Sequence, residues 1–191
     1  MSADHAEQLR AAVLALRAPQ AAKRAPAPRS SVYGRAAAAV PADVRQPAAG
    51  GVLEARVRTV ETSALLPGTT MALVVSPRRS ELPPDTARSC DLLTAAGAVV
   101  VALGADLPRQ VSDRTRPLTV PLRRDDSLAD EWAVVACGPQ RRVAFLARRR
   151  PEGDVWDWLV TRDPVAVHRA GTALLERVPF LRLRVPALAS R

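Results

Sequence analysis

The sequence feature that most constrains the fold is an uninterrupted apolar segment at residues 98–103, which contains three successive valines. β-Branched residues favour strands, and a strand without polar alternation is typical of one that is covered on both faces. A second apolar segment, 71–75, precedes it, and a helix-compatible stretch, 86–96, lies between the two. Strand, helix and strand in this order predict a parallel pair with a right-handed crossover. Within the helix we expect four residues to face inward: Ala87, Leu92, Leu93 and Ala96.

The second half of the chain predicts antiparallel strands and a closing helix. Four segments have strand character: 118–122, 132–137, 143–149 and 155–161. Prolines flank the first of them, which favours an edge position, and Gly138-Pro139 between the next two predicts a hairpin loop. Asp163 and Pro164 supply an N-cap and a first-turn proline for a helix over 165–178. The predicted fold class is therefore α/β (α+β): a mixed β-sheet with a parallel crossover pair, an antiparallel meander and covering helices.

Composition divides the chain into four parts. Residues 1–16 are compatible with a short helix, and residues 17–51 are rich in Pro, Ala and Arg with few large apolar side chains. Such a stretch buries too little to offset its ordering entropy, so we expect a mobile linker there, with a short helix at 35–40. The folded domain is predicted over 52–178, followed by a tail over 179–191. Residues 52–65 fit a helix face and an alternating strand equally well.

The chain is basic, with 28 Lys and Arg against 19 Asp and Glu and a formal net charge of +9. A basic chain can bind nucleic acid or an anionic membrane. Lys23 is the only lysine, and this preference for arginine indicates a GC-rich genome as readily as a role in binding an anionic partner. Aromatic residues that could stack on bases make up 3% of the chain, so we keep nucleic-acid binding only as an alternative. The sequence shows no membrane-spanning run and no secretory signal, and a cytoplasmic location is the simplest expectation.

The residues that most often carry catalysis or metals are few. The chain has two histidines, His5 and His168, and two cysteines, Cys90 and Cys137, and no pair has metal-ligand spacing. Cys137 ends an apolar segment and is best interpreted as a small buried hydrophobe. Gly104 follows a strand, but no glycine-rich phosphate loop follows it. We therefore expect no metal, no cofactor and no enzymatic activity.

Two tryptophans alternate along one predicted strand. Trp156 and Trp158 are two residues apart, so their side chains should point to the same face of the sheet. A pair of this kind is either a core feature or a contact surface, and interfaces are enriched in tryptophan. The sequence leaves both interpretations open.

An ordered set of segments in the carboxyl half resembles the DICT sensory domain. The set comprises VVVALGADLP at 99–108, DSLADEWAVV at 126–135, Gly138-Pro139, AFLAR at 144–148, LVTRD at 159–163 and ALLERV at 173–178. The resemblance covers about residues 71–178, and residues 52–65 and 76–79 depart from the family pattern. The family occurs as an input module beside diguanylate cyclases, two-component proteins and MerR-type regulators, and as stand-alone chains in actinobacteria. It implies no catalytic residues.

The resemblance implies a non-enzymatic sensory or regulatory module that binds a small-molecule ligand or a signalling or transcription-regulatory protein. Ligands favour the carboxyl ends of parallel strands, so we expect a contact surface formed by Gly104 and Asp106 with Asp130, Glu131 and Trp132. The candidate binding residues are completed by Trp156 and Trp158. Two alternatives remain: a degenerate nucleotide-binding or hydrolase-like enzyme that uses Cys137 or an acid pair, and a basic nucleic-acid-binding protein.

Overall fold

The computed structural model describes residues 31–64, 68–77, 81–110, 116–123, 125–139, 141–178, 181 and 183–186. The helix expected within residues 1–16 lies outside them. Four α-helices occur in the described part: α1 (Val32–Ala37), α2 (Gly50–Ala64), α3 (Pro84–Ala95) and α4 (Pro164–Leu175). The described strands are β1 (Gln46–Ala49), β2 (Met71–Val75), β3 (Val99–Gly104), β4 (Leu118–Pro121), β5 (Glu131–Cys137), β6 (Arg142–Arg149) and β7 (Val155–Thr161). Single turns of 3-10 helix span Ala42–Val44 and Ser127–Asp130.

These strands form one mixed sheet in the order β1-β7-β6-β5-β2-β3-β4. Strands β2, β3 and β4 are parallel, and the remaining pairs are antiparallel. The predicted α/β class, the parallel crossover pair and the antiparallel meander are confirmed. β4 lies at one edge of the sheet, as its flanking prolines predict, because a proline cannot donate a hydrogen bond to a further strand.

The sheet is covered on both faces, and alternate strand residues divide between two cores. On the face that α1 and α4 cover, hereafter the α4 face, the core includes Leu73, Val101, Val135 and Leu146. On the other face, Leu53 and Val57 of α2 and Leu93 of α3 pack over the sheet residues. All three tryptophans of the chain, Trp132, Trp156 and Trp158, belong to this second core, which we call the tryptophan face. The prediction that Trp156 and Trp158 share a face is confirmed.

The linker predicted over 17–51 is wrong for residues 31–51, which belong to the folded domain. Val32 and Tyr33 of α1 are buried on the α4 face, and β1 pairs with β7 so that Gln46 lies opposite Trp158. The Ser31 side chain caps α1 by accepting a hydrogen bond from the Gly34 N–H at 2.9 Å. Local composition misled the prediction because these few large side chains are held by tertiary burial. Residues 17–30 lie outside the described part of the chain.

Helix α2 resolves the ambiguity at residues 52–65, and helix α3 corrects one expectation about its buried face. Residues 52–65 are helical up to Ala64, because Leu53, Val57 and Val60 form a stripe that faces the tryptophan core. In α3, Leu93 and Cys90 are buried, but Leu92 is 51% exposed. Ala96, which follows the helix, is exposed as well, so the expectation that Leu92 and Ala96 face inward is wrong.

Two local predictions on the antiparallel half are explained by geometry. Asp163 caps α4 as expected, since its Oδ1 accepts from the Ala166 N–H at 2.8 Å, and Pro164 occupies the first turn. Gly138 follows β5 where the chain passes Gly68, and a Cβ at position 138 would overlap the Gly68 carbonyl oxygen.

Within the described ranges, no helix is long and apolar enough to cross a membrane.

Candidate functional site

A pocket of about 310 Å³ opens beyond the carboxyl end of β2, at one end of the sheet's strands. We call it the tryptophan pocket. It is bounded by the start of α2, the segment after β2, the start of β5 and the β6–β7 hairpin. Its lining residues are Gly50, Gly51, Glu54, Pro77, Ala129, Asp130, Trp132, Arg149, Asp154 and Trp156.

Two tryptophans form the aromatic part of the pocket. Trp132 is 8% exposed and Trp156 is 7% exposed, so each presents only a small part of its ring to the pocket. Behind the lining, Phe145 makes an edge-to-face contact with Trp132 at 6.1 Å between centroids and stacks on Trp158 at 6.4 Å. This contact series fixes the ring positions, because each ring is held by a neighbour on the next strand.

The start of α2 meets the β6–β7 hairpin through Asp154. The Trp156 indole Nε1–H donates to Asp154 Oδ1 at 3.1 Å. A Cβ at position 50 would lie 2.8 Å from Asp154 Oδ2, so Gly50 allows the carboxylate to approach the helix start closely. A carboxylate is favourable there, since the first N–H groups of a helix lack intrahelical acceptors and carry partial positive charge. Asp154 therefore joins Trp156 and α2 into one wall.

The rim of the pocket is charged. Among its described lining residues, Glu54, Asp130 and Asp154 carry carboxylates and Arg149 carries a guanidinium. Arg149 lies opposite Trp156 in the β6–β7 register. The pocket thus combines an apolar aromatic wall with several polar groups, a combination that is typical of small-molecule sites.

The predicted site residues separate into three groups in the structure. Asp130, Trp132 and Trp156 come together in the tryptophan pocket. Trp158 lies on the same face but outside the lining, with the Arg56 guanidinium 5.4 Å from its ring centroid. Gly104 is the last residue of β3 and lies at the same end of the strands as the pocket, where the Leu107 side chain covers it. Neither Gly104 nor Asp106 lines the pocket.

Glu131 belongs to neither the pocket nor the surface. It is 2% exposed, and its Oε2 accepts a hydrogen bond from the Tyr33 backbone N–H at 3.0 Å. Ser31 and the Val32 N–H also hydrogen-bond to this carboxylate. Burial raises the pKa of Glu131 above its ordinary value, against the lowering effect of these hydrogen bonds and of the Arg177 charge. The residue that we expected in a contact surface instead anchors α1 to β5.

Replacing Glu131 with Gln is expected to reduce the pH dependence of stability. Because the folded-state pKa lies above the ordinary 4.5, this carboxyl stabilises the fold fully below about pH 4.5, and that contribution is lost as the pH rises through the raised pKa. Glutamine keeps an oxygen that accepts from Tyr33 but does not ionise. Urea unfolding at a series of pH values should show the wild type losing more stability than Glu131→Gln as the pH is raised above 4.5. An exposed control, Glu152→Gln, should follow the wild type, and parallel curves for Glu131→Gln would contradict the expectation.

Seven lining residues were missed by the sequence reasoning: Gly50, Gly51, Glu54, Pro77, Ala129, Arg149 and Asp154. Gly50 and Gly51 fell within the supposed linker. Arg149 and Asp154 reach the pocket only through the pairing of β6 with β7, which places Arg149 opposite Trp156. The one available signal was the alternation that put Trp156 on the apolar face, because residues of the adjoining turn must then lie beside it.

Neither thiol lies in a reactive setting. Cys137 is buried at the far end of β5 from Trp132, and burial raises its pKa to about 11. Cys90 is buried in α3, and burial, followed by the charge of Glu61, raises its pKa to about 12. Both thiols are therefore protonated near neutral pH and are poor nucleophiles. Among the described residues, no group of three His, Cys, Asp or Glu side chains is placed to hold a metal ion.

Comparison with known proteins does not identify a family for this chain. No protein-family profile matches the sequence, and no curated protein matches it. Among solved structures, NucT from Helicobacter pylori is similar at a TM-score of 0.43 and 11% sequence identity, over 71% of this chain and 95% of that chain. A likeness at this level carries no argument about function, and the site has to be interpreted from its own chemistry.

Proposed function

We propose that this chain is a non-enzymatic regulatory module that binds a small ligand in the tryptophan pocket, as its resemblance to the DICT domain implies. The observation that carries the proposal is the convergence of Trp132 and Trp156 with a charged rim at one sheet edge. In this proposal the occupied state is recognised by a signalling or transcription-regulatory protein in the cytoplasm. Such a switch requires that the ligand bind two states of the module unequally.

The position of the pocket supports a ligand site. It lies beyond the carboxyl end of β2, where the parallel strands β2, β3 and β4 meet the antiparallel strands β5, β6 and β7. Ligands of open α/β sheets favour the region beyond strand carboxyl ends, where the strand order changes direction. The volume of about 310 Å³ is near the lower end of the range for small-molecule sites, about 300–1,000 Å³. A single planar ring with one polar group suits these dimensions and the aromatic wall.

Binding rather than turnover is also supported by the placement of the reactive groups. Cys137, which the enzymatic alternative would use, is buried on the α4 face, with its pKa raised to about 11. His168 is exposed on α4, whereas the tryptophan pocket opens on the other face of the sheet. The pocket itself offers carboxylates and a guanidinium, which can orient a ligand through hydrogen bonds and charge.

The proposal can be tested by tryptophan fluorescence, because all three tryptophans of the chain lie on the tryptophan face. Benzamidine, benzamide and benzoate have one shape and carry positive, zero and negative charge. We expect saturable changes in tryptophan emission and an increase in Tm with at least one of them. The preferred charge will identify the class of natural ligand.

A matched pair of variants shows whether the signal comes from the pocket. Gly51 lines the pocket, and a Cβ built there meets no atom within 4 Å, so Gly51→Leu should fill the pocket without disturbing the fold. Ala55→Leu adds a similar volume at an exposed position of α2 outside the lining. We expect Gly51→Leu to weaken fragment binding at least tenfold and Ala55→Leu to leave it unchanged. No saturable binding by any fragment, or equal binding by both variants, would overturn the proposal.

A further inference from the structure

Ser76 has a buried hydroxyl that the fold does not use. It follows β2 directly and precedes Pro77, which lines the tryptophan pocket. Its backbone N–H donates to the Leu103 carbonyl at 3.2 Å, which fixes the main chain. The residue is 2% exposed, and its Oγ has no hydrogen-bond partner among the residues that the structure describes. A buried polar group without a partner is destabilising, so one that is retained beside a pocket requires an explanation.

The sheet register places this hydroxyl next to Trp132. Val75 lies opposite Ala133 of β5 and opposite Leu103 of β3, so the next position, Ser76, is level with Trp132 and Gly104. Side chains alternate along a strand, and Val74 belongs to the tryptophan core. The Ser76 side chain is therefore on the tryptophan face, beside Trp132 and behind Pro77.

The neighbours of Ser76 in this row leave its hydroxyl without a local acceptor. Gly104 has no side chain, and Leu107, which covers it, is apolar. Trp132, on the other side, offers only an N–H donor. Ser76 does not itself line the pocket, and its hydroxyl lies one residue behind Pro77, which does. The hydroxyl can therefore donate only to an oxygen that passes Pro77 along the Trp132 ring.

We infer that Ser76 is a ligand-binding residue of the tryptophan pocket and donates a hydrogen bond to a carbonyl oxygen at the inner end of a planar aromatic ligand. The inference rests on the proposed function, and it adds a chemical class to it: ring compounds that carry an amide or another carbonyl group. The ring lies against Trp132, and the carbonyl points toward β2.

The test separates binding from stability. In Ser76→Ala the unpartnered hydroxyl is removed, so the variant should unfold at the same or a higher urea concentration than the wild type. Its Kd for benzamide should nevertheless rise roughly tenfold, the usual effect of losing one hydrogen bond. The Kd for toluene, which has the ring without the carbonyl, should be unchanged.

Thr69 provides the matched control. Its Oγ1 is also buried with no partner in the described part of the chain, but Thr69 lies beside Gly138, at the opposite end of β2. Thr69→Val should therefore leave benzamide binding unchanged. The inference is overturned if Ser76→Ala destabilises the fold, if Thr69→Val weakens benzamide equally, or if benzamide binding survives Ser76→Ala. If benzamide binding survives Ser76→Ala but is lost in Gly51→Leu, the pocket is still supported as a ligand site and only the role of Ser76 is overturned. Failure of benzamide to bind the wild type would also overturn the role of Ser76.

Discussion

A chain that begins at Val52 is expected not to fold, although the sequence alone predicts that it contains the whole domain. Removing α1 and β1 exposes the sheet and helix surface that Val32 and Tyr33 cover, and burial of each such side chain contributes about 1.5–3 kcal/mol. It also leaves the Glu131 carboxylate without the N–H donors of Val32 and Tyr33. Losing the hydrogen bonds to such a group costs about 1–3 kcal/mol. Together these losses approach the whole stability of an ordinary domain, about 5–15 kcal/mol.

The control for this truncation is a chain that begins at Ser31, which keeps every contact that the structure describes. Far-UV circular dichroism and urea unfolding should show a cooperative transition for that chain and none for the chain that begins at Val52. Limited proteolysis of the full chain should correspondingly spare residues 31–51. A folded, cooperative Val52 chain would show that α1 and β1 are accessory to the domain.

Trp132→Ala is expected to destabilise the domain by about 3–5 kcal/mol, the usual cost of truncating a large buried aromatic side chain. Trp132 is nearly buried, packs edge-to-face on Phe145 and stands in β5 between β2 and β6. Its loss leaves a cavity on the tryptophan face beside Phe145. The shift in urea midpoint measures the effect.

Leu92→Ala serves as the reference for Trp132→Ala. Leu92 lies on α3, which covers the same face, but is largely exposed, so its truncation should change stability by less than about 0.5 kcal/mol. Equal midpoints for the Trp132 variant and the wild type would mean that the indole contributes to ligand binding alone. Since Trp132 also lines the pocket, fragment binding to this variant is informative only where it remains folded.

The central sheet could be predicted from the sequence because its signals are local and strong. The valine-rich segment of β3 has no polar alternation, and a strand of that kind needs cover on both faces, which α3 and α4 help to provide. The closing helix could be placed from Asp163 and Pro164, whose cap geometry depends only on neighbouring residues. The face shared by Trp156 and Trp158 follows from the two-residue period of a strand.

The N-terminal part of the domain could not be predicted in this way. Val32 and Tyr33 stand in an Ala-rich, Pro-rich stretch whose composition indicates a linker, and α1 is too short to be stable alone. It is held by Glu131, which is 98 residues away in the sequence. The Asp130-Glu131-Trp132 segment likewise does not form the one surface that we expected from the sequence. Strand alternation sends Glu131 to the α4 face, where it binds α1, and Trp132 to the tryptophan face.

The sequence by itself therefore determined strands β2 to β7, the antiparallel meander, the crossover and the shared face of two tryptophans, since each depends on residues close together in the chain. Only the tertiary structure decided the tryptophan pocket. Its walls come from the start of α2, the end of β2, the start of β5 and the β6–β7 hairpin, and Gly50 meets Asp154 across more than half the length of the domain. A pocket assembled from such distant segments leaves no periodic trace in the sequence, because register and helix packing, rather than local propensity, set which side chains meet.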